Sequence, residues 1–241
     1  MTGALGHPHI HLDVVDSTNA LAKEQATAGA AHGTTFTASQ QTAGRGRHGR
    51  SWVAPAGSAL LMSVILRPAA EHHRFAPLAA ALAVAETCEQ LADVRAQIKW
   101  PNDVWIEGRK VSGILVEARP NPDPEKSWVV VGIGLNTRVR LEDLPEELQQ
   151  TATSLSLGEG VDALTPLLAR LEQWIAAPTR ELIQAWSARD ALRGRDIAWA
   201  EGEGIANGID DEGNLLVRRC GGGISILGAG EVHLSLNDPL T

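Results

Sequence analysis

The chain has 241 residues, is 44% hydrophobic and 21% charged, and carries a formal net charge of -8 at pH 7. This length allows one domain and a small second one, and the acidic balance argues against wide contact with nucleic acid or an anionic membrane. No apolar run is long enough to span a bilayer, residues 1–13 do not resemble a signal peptide, and Cys88 and Cys220 lie far apart, so we expect a reduced, cytoplasmic protein without a disulfide framework.

The first predicted elements are a strand at residues 9–13 and a helix at residues 20–26. His7, His9 and His11 share one face of that strand, which permits a metal site, but no cysteine or further histidine cluster completes a coordination set. The polar residues 16–19 are typical of a helix N-cap. Four such residues in a row exceed what a cap requires, and so we also expect them to bind a small polar ligand.

A strand at residues 34–40 leads into a loop at residues 41–52, the Gly/Arg loop, which alternates glycines with basic residues and ends in Trp52. Glycines let the backbone approach a ligand, and arginine forks match carboxylate and phosphate oxygens. The glycine spacing also satisfies the Gly-x-Gly-x-x-Gly dinucleotide pattern. That pattern requires a helix directly after the glycines, whereas residues 51–57 are typical of a loop. A solvated surface loop is the remaining alternative.

The elements that follow are mostly strands. A strand at residues 59–66 leaves the Gly/Arg loop, and a buried helix rich in Ala and Leu is predicted at residues 75–91. Further strands are predicted at residues 97–100, 110–117 and 127–136. The last of these is the most apolar and should therefore be central in its sheet.

The last third of the chain begins with a polar stretch at residues 141–159. Leucines at helical spacing predict a helix at residues 164–175, which Pro178 interrupts and which resumes through Trp186. From residue 192 onward, short strand-like runs alternate with Gly and Asp/Asn turns, a composition that predicts a small β-barrel. These runs are residues 197–200, 215–218, 224–227 and 232–236.

Five sequence blocks in one order carry a resemblance to a known family. They are Asp16-Ser17-Thr18-Asn19, Gln41 through Trp52, Lys99-Trp100-Pro101-Asn102-Asp103, Lys110 through Glu117, and Gly132-Ile133-Gly134-Leu135-Asn136. Each block alone is weak, but the ordered set resembles the biotin protein ligases over nearly the whole chain. His48 is a departure, because many members have another basic or a small residue there.

The resemblance implies an α+β fold. A mixed β-sheet flanked by helices, of the class II synthetase and biotin ligase type, would occupy residues 1–190, and a small SH3-like β-barrel would occupy residues 191–241. Some members of the family carry an N-terminal DNA-binding domain. Too few residues precede Ser17 for such a domain, and so we expect a chain of the ligase-only type.

The resemblance also implies a reaction in two steps. Biotin and ATP, with Mg²⁺, give biotinyl-5′-adenylate and pyrophosphate, and biotin then passes to one lysine of the biotin carboxyl carrier domain of a biotin-dependent carboxylase. We expect no nucleic-acid or membrane partner, and the formation of a homodimer is left open.

The family assigns biotin to a set of polar and glycine residues. The ureido ring of biotin offers N–H donors and a carbonyl acceptor, which suit hydroxyl and amide partners. Arg47 is expected to brace the biotin carboxylate and the α-phosphate of ATP. The residues expected at biotin are Ser17, Thr18, Asn19, Gln41, Gly44, Arg45, Gly46, Arg47, Lys110 and Gly113.

Lys110 resembles the family's essential lysine and is expected, with Arg47, to act in catalysis. A fixed ammonium between a carboxylate and a phosphate lowers their repulsion and stabilises the charge that builds on the α-phosphate. Asp103 is expected to face Mg²⁺, which prefers oxygen ligands. Trp52 is expected to stack near adenine, with burial in the core as the alternative. The residues expected at ATP are Arg47, Arg50, Trp52, Asn102, Asp103, Lys110 and Asn136.

Two other functions remain open at this point. A lipoate or octanoate ligase or transferase of the same superfamily would share the fold and a lysine of this kind, but the Gly/Arg loop and the predicted barrel favour biotin. A non-enzymatic biotin or nucleotide sensor would not need Arg47, Asp103 and Lys110 together, because a pure binder does not need groups that stabilise a transition state.

Overall fold

The computed structural model describes residues 4–67, 74–123, 126–228 and 230–234. Its larger sheet has seven strands, which are β1 (His9–Val15), β2 (Thr35–Gln41), β3 (Ala59–Leu66), β4 (Ala96–Lys99), β5 (Asp103–Ile106), β6 (Arg109–Arg119) and β7 (Trp128–Asn136). Their spatial order is β1-β2-β3-β7-β6-β5-β4. The β1–β2 pair is parallel and the other pairs are antiparallel, so the sheet is mixed as expected. The apolar strand β7 is central, which confirms the prediction.

Helices cover both faces of this sheet. They are α1 (Thr18–Thr27), α2 (Ala76–Leu91), α3 (Glu146–Gln149), α4 (Leu164–Ala176) and α5 (Thr179–Ser187). On β7, Val130 packs in the cluster beneath α1, whereas Val131 packs in the main core with α2. This difference follows from the alternation of side chains along a strand. Helix α2 is buried along most of its surface because α4 and α5 cover the side that faces away from the sheet.

The structure confirms one helical prediction and adds a helix that was not predicted. Pro178 lies between α4 and α5, as predicted, because proline cannot continue a helix. The short helix α3 lies within the stretch that the sequence showed only as polar. In the ranges that the structure describes, no helix combines the length and the apolarity needed to cross a membrane.

The second sheet is antiparallel and has five strands. They are β8 (Asp196–Trp199), β9 (Gly202–Ile209), β10 (Leu215–Arg219), β11 (Ile224–Leu227) and β12 (His233–Leu234). Their order is β11-β10-β9-β8-β12, and within the described part of the chain β11 and β12 are the edges. The sheet is therefore open as described, and the closed SH3-like barrel stays a prediction. Of the strand predicted at residues 232–236, residues 235 and 236 lie outside the described residues.

Strand β9 was missed in the sequence. Its three glycines, Gly202, Gly204 and Gly208, lower its strand propensity. It nevertheless pairs with β8 on one side and with β10 on the other, and such two-sided pairing overrides intrinsic preference.

The two sheets share one core. The indole N–H of Trp100 donates to the Gly213 carbonyl at 3.1 Å, and the backbone N–H of Ile98 in β4 donates to the Arg189 carbonyl at 2.7 Å. Leu82, on α2, and Leu215, on β10, belong to the same cluster of buried side chains. The predicted boundary at residue 190 therefore falls where the chain is still packed on the larger sheet, and the division into two domains stays a prediction.

The two free cysteines differ in burial, since Cys88 is buried and Cys220 is exposed. Burial raises the pKa of the Cys88 thiol from its ordinary value near 9 to about 12. Between about pH 9 and pH 12 the unfolded chain therefore loses the Cys88 proton while the folded chain keeps it, and so stability falls as the pH rises. We expect Cys88→Ala to flatten the slope of the urea unfolding free energy against pH in this window, by at most ~1.4 kcal/mol per pH unit. Cys220→Ala is the matched control, and an unchanged slope in Cys88→Ala would contradict the assignment.

Candidate functional site

A cavity of about 270 Å³ lies on the face of the larger sheet that carries α1. It is bounded by the N-terminal end of α1, the Gly/Arg loop, strands β6 and β7, and residues 144–152. Fourteen of the residues predicted to bind biotin or ATP line it. They are Ser17, Thr18, Asn19, Gln41, Arg45, Gly46, Arg47, Arg50, Trp52, Asn102, Asp103, Lys110, Gly113 and Asn136.

Glycines on adjacent strands make room for this cavity. Gly113 on β6 pairs with Gly134 on β7, and Gly132 lies two residues before Gly134 on the same face of the sheet. A Cβ atom at Gly134 would lie 2.4 Å from the Trp52 ring, and one at Gly132 would lie 1.9 Å from Asn19 Oδ1. Any larger residue would therefore displace the groups that line the cavity. Glycines inside a buried strand often mark such close approach, and this pattern could have revealed Gly132 and Gly134 in the sequence.

The end of the cavity beside α1 is polar. Ser17 caps α1, and its side-chain oxygen accepts from the Ala20 N–H. Gln41 Oε1 accepts from the Thr18 backbone N–H at 2.7 Å, and Thr18 Oγ1 lies 3.0 Å from the same Gln41 oxygen. The fully buried Ser63 joins this group from β3. Ser63 could not be singled out in the sequence, because a single serine in an apolar strand has no distinguishing pattern.

The opposite end is cationic. Lys110 Nζ lies 2.7 Å from Asp103 Oδ1 and 5.7 Å from the centre of the Trp52 ring. Arg47 Nη1 donates to Asn102 Oδ1 at 3.3 Å. Burial lowers the pKa of the Arg47 guanidinium, an effect that the Glu231 carboxylate opposes. Arginine stays protonated despite such a shift, and so this end holds two half-buried cations that are suited to an anionic ligand.

The Gly/Arg loop folds back on itself. Arg45 and Ser51 form an antiparallel bridge, and residues 47–49 make one turn of 3-10 helix. His48 has a φ of 54° and Gly49 a φ of 76°, so two successive residues lie in the left-handed region, where glycine costs least. From the glycines to residue 67 the described chain contains no α-helix, only this 3-10 turn. The dinucleotide alternative is therefore excluded, since it requires an α-helix directly after the glycines.

Gly44 is the predicted site residue that lies behind the cavity. A Cβ atom there would lie 2.4 Å from the Trp52 carbonyl oxygen and 2.9 Å from Gln41 Nε2. This close packing holds the loop against the end of β2, and so Gly44 shapes the site without lining it.

Residues 151–153 hold Lys110 in place. The Lys110 backbone N–H donates to the Thr151 carbonyl at 2.8 Å, and the Thr153 N–H donates to the Lys110 carbonyl at 2.8 Å. Asn136, at the end of β7, donates from Nδ2 to the Thr153 carbonyl at 2.9 Å. Asn136 is thus occupied in fixing this segment. The sequence did not single out residues 151–153, because their role depends on pairing with a distant strand.

The predicted metal sites can be tested by the chemistry of the side chains. Within the described ranges, no group of three or more His, Cys, Asp or Glu side chains is arranged to hold a metal. His9 and His11 instead contact the hydroxyl oxygen of Thr37, at 2.7 and 2.9 Å. The Asp103 carboxylate already faces Lys110. The single carboxylate of Asp103 suits a Mg²⁺ ion that arrives with nucleotide phosphates, since Mg²⁺ keeps waters and takes few protein ligands in such sites.

The fold and the site together define a class of protein in which a mixed sheet carries, on one face, a cavity with a polar end and a cationic end. The sequence profile described as "Biotin/lipoate A/B protein ligase family" matches residues 11–136. The chain belongs to this family.

Several relatives are similar over much of the chain. A biotin--[acetyl-CoA-carboxylase] ligase of Mycobacterium tuberculosis is 38% identical, over 92% of this chain and 89% of the relative. The bifunctional ligase/repressor BirA of Bacillus spizizenii is 42% identical over 66% of this chain. The chain spans about half the length of this relative and of its Bacillus subtilis counterpart, at 49% and 50%.

A solved structure supports the same relationship. The biotin protein ligase from Aquifex aeolicus, in complex with biotin and ATP, superposes with a TM-score of 0.79 and is 28% identical. The match covers 94% of this chain and 99% of that one. The likeness therefore extends over both sheets.

Proposed function

We propose that the protein is an ATP-dependent biotin protein ligase. It joins biotin to AMP, with release of pyrophosphate, and then transfers biotin to a lysine of a biotin carboxyl carrier domain. The observation that carries this proposal is the single cavity in which a polar end and a cationic end lie on one sheet face. A related protein of the same fold binds biotin and ATP.

The polar end fits the ureido ring of biotin. Ser17, Thr18 and Gln41 bring hydroxyl and amide groups to one end of the cavity, and such groups match the N–H donors and the carbonyl acceptor of a urea. The aliphatic chain of biotin would then run over the glycines of β6 and β7 toward the cations. This orientation brings the biotin carboxylate to Arg47 and Lys110.

The cationic end carries the first step. A carboxylate oxygen of biotin attacks the α-phosphorus of ATP, the new O–P bond forms, and the bond to pyrophosphate breaks. Lys110, near Asp103 and Trp52, offers a fixed ammonium to the charge that builds on the α-phosphate. Arg47 pairs with the biotin carboxylate and the same phosphate. Both cations lower the repulsion between the two reacting anions.

The remaining predicted residues would form the nucleotide side. Arg50, Asn102 and Asp103 line the cavity near Lys110, and Mg²⁺ bound with ATP would neutralise phosphate charge there. The Trp52 ring packs over Gly113 and Gly134, and its Nε1 has no hydrogen-bond partner among the described residues. This position suits a wall between the biotin chain and the nucleotide. Stacking on adenine and simple burial of Trp52 stay alternatives.

In the second step, the amine of the acceptor lysine attacks the acyl carbon of the adenylate, and AMP leaves. The name of the Mycobacterium tuberculosis relative points to a carboxylase as the source of that lysine. We include the closure of the second sheet into an SH3-like barrel and the two-domain division in this proposal. The absence of a nucleic-acid partner and the cytoplasmic location stay predictions, and the formation of a homodimer stays open.

The first test measures pyrophosphate release with MgATP and either biotin or lipoate. We expect release with biotin and little or none with lipoate, because the lipoate ring has no N–H donor for the polar end. The family description includes both classes, and so faster release with lipoate would replace the biotin assignment by the lipoate one.

The second test separates an enzyme from a sensor. Labelled biotin, MgATP and a biotin carboxyl carrier domain are incubated with the protein, and label on the carrier lysine is measured. A carrier domain with that lysine changed to arginine is the control. Binding of biotin without transfer to either carrier would favour the sensor.

A further inference from the structure

Glu117 lies next to the polar end of the cavity, on β6, and was not among the predicted site residues. Its carboxylate pairs with the Lys23 ammonium and accepts from Asn19 Nδ2 at 3.0 Å. The Leu115 carbonyl oxygen lies 3.2 Å from the same Asn19 nitrogen. Asn19 is therefore held between two oxygens of β6.

These two contacts fix the orientation of the Asn19 amide. A carboxylate and a backbone carbonyl can only accept hydrogen bonds, and so the Asn19 atom that faces both must be the NH₂ group. Its two protons are used by Glu117 and Leu115. Asn19 Oδ1 must then point the other way, toward Ser63 Oγ at 2.6 Å.

The other end of the network is fixed as well. Gln41 presents Oε1 to Thr18, because this atom accepts from the Thr18 backbone N–H at 2.7 Å. Between Asn19 Oδ1 and Gln41 Oε1 lie the hydroxyls of Ser63 and Thr18. The successive oxygen–oxygen distances are 2.6, 2.8 and 3.0 Å.

This network has one proton too few. Three short oxygen–oxygen contacts lie between two acceptors, but the two hydroxyls carry only one proton each. Along the described residues, no other side-chain donor bonds to these oxygens. An additional donor from outside the chain completes the network, and such a donor must be an N–H or O–H group.

We propose that Glu117 is a positioning residue that sets the polarity of this network, so that the polar end accepts an N–H donor of the ligand. The proposal rests on the proposed function, because the ureido ring of biotin supplies such N–H groups. Glu117 acts through Asn19 and selects against ligands that bring no donor. A site built to pair a ligand N–H rejects analogues that lack it, since its own polar groups are then left unpaired.

Glu117→Gln tests the polarity with little change of shape. A glutamine can turn its NH₂ toward Asn19, so that only the Leu115 carbonyl, at 3.2 Å, still favours the original orientation of the Asn19 amide. The reversed amide gives up its bond to Leu115, but it accepts from the glutamine and donates to Ser63. Ser63 can then donate to Thr18 and Thr18 to Gln41, so that the network is complete without a ligand. We expect the Kd for biotin to rise roughly 10- to 100-fold, with kcat at saturating biotin and the KM for ATP unchanged.

The decisive measurement is how strongly the protein prefers biotin to an analogue that lacks a ureido N–H. Calorimetry compares biotin with biotin methylated on a ureido nitrogen, in the wild type and in Glu117→Gln. The steric effect of the methyl group is common to both proteins and cancels in the comparison. We expect the wild type to discriminate strongly and Glu117→Gln to lose most of that preference. Asn19→Leu, which removes the acceptor Oδ1 so that Ser63 can donate to Thr18 and Thr18 to Gln41, should lose it in the same way and is the second variant if Glu117→Gln does not fold.

Lys23→Met is the matched control. It removes the ion pair with Glu117 but keeps the carboxylate against Asn19, and so discrimination should stay at the wild-type level. The inference is overturned if Glu117→Gln and Asn19→Leu keep the wild-type preference, or if Lys23→Met loses it to the same extent. If the wild type itself binds no biotin, the proposed function fails first, and the two failures are thus distinguished.

Discussion

Lys110→Ala is expected to lower the rate of adenylate formation by roughly 10²- to 10³-fold, the cost of removing one fixed group that stabilises developing charge. The ammonium of Lys110 lies between Asp103 and the Trp52 ring, at the cationic end of the cavity. Without it, the biotin carboxylate and the α-phosphate repel each other with less compensation. Pyrophosphate release at saturating biotin and ATP measures the effect.

The fold of this variant should be intact. The backbone of Lys110 keeps its hydrogen bonds to residues 151–153, and its side chain is not part of the hydrophobic core. Lys126→Ala, at an exposed lysine outside the cavity, is the matched control and should keep the wild-type rate. Adenylate formation by Lys110→Ala within a few-fold of that control would show that Lys110 does not act on the reacting phosphate.

Much of the site could be predicted because its residues lie in short, ordered blocks. The polar residues 16–19 and the Gly/Arg loop each precede or follow a predicted element, and the structure brings them to one cavity. The central place of β7 followed from its apolar run, because a strand buried on both faces has no polar alternation. Local chemistry and periodicity were sufficient for these parts.

The parts of the site that could not be predicted depend on pairing between distant segments of the chain. Ser63 and Glu117 reach the polar end because Ser63 lies opposite Gly132 on β7, while Glu117 extends from β6 to Asn19. Residues 151–153 join the site by bonding to the start of β6. Ser63 and residues 151–153 belong to no motif, and Glu117 ends one of the family blocks without a role assigned to it. Their contribution appears only when the strand register is known. The arrangement of the described strands of the second sheet likewise depends on strand order, which composition does not reveal.

Biotin is expected to raise the affinity of the protein for ATP by about 5- to 150-fold, the usual range for coupling between two sites. Arg47 is the reason. Burial lowers the pKa of its guanidinium more than the nearby Glu231 and Asp103 carboxylates raise it, and its hydrogen-bond partner Asn102, at 3.3 Å, is neutral. An anion does, and so the biotin carboxylate should fix Arg47 and complete a wall for the nucleotide. Thermodynamic linkage requires ATP to raise the affinity for biotin by the same factor.

Arg47→Ala should reduce that factor toward one. Calorimetry with a non-hydrolysable ATP analogue, with and without biotin, measures the coupling. Arg180→Ala is the control, because it removes an exposed arginine on α5 that does not line the cavity, and it should keep the wild-type coupling. The variant should also release the adenylate faster, because a loop that closes on an intermediate retains it and excludes water. Full coupling in Arg47→Ala would show that the guanidinium does not link the two ligands.

The same argument predicts a change in the Gly/Arg loop itself. Its glycines carry a large backbone entropy, and its arginines repel one another until an anion is bound. The start of the loop is bonded to residues 15–18, but few polar contacts tie its middle, residues 45–51, to the rest of the described chain: the Arg47–Asn102 bond and the ion pair of Arg50 with Glu231. Hydrogen exchange at residues 42–52 should therefore be fast in the free protein and slow with biotin. Equal, strong protection in both states would mean that the loop is preformed, and biotin could not then improve ATP binding by ordering it.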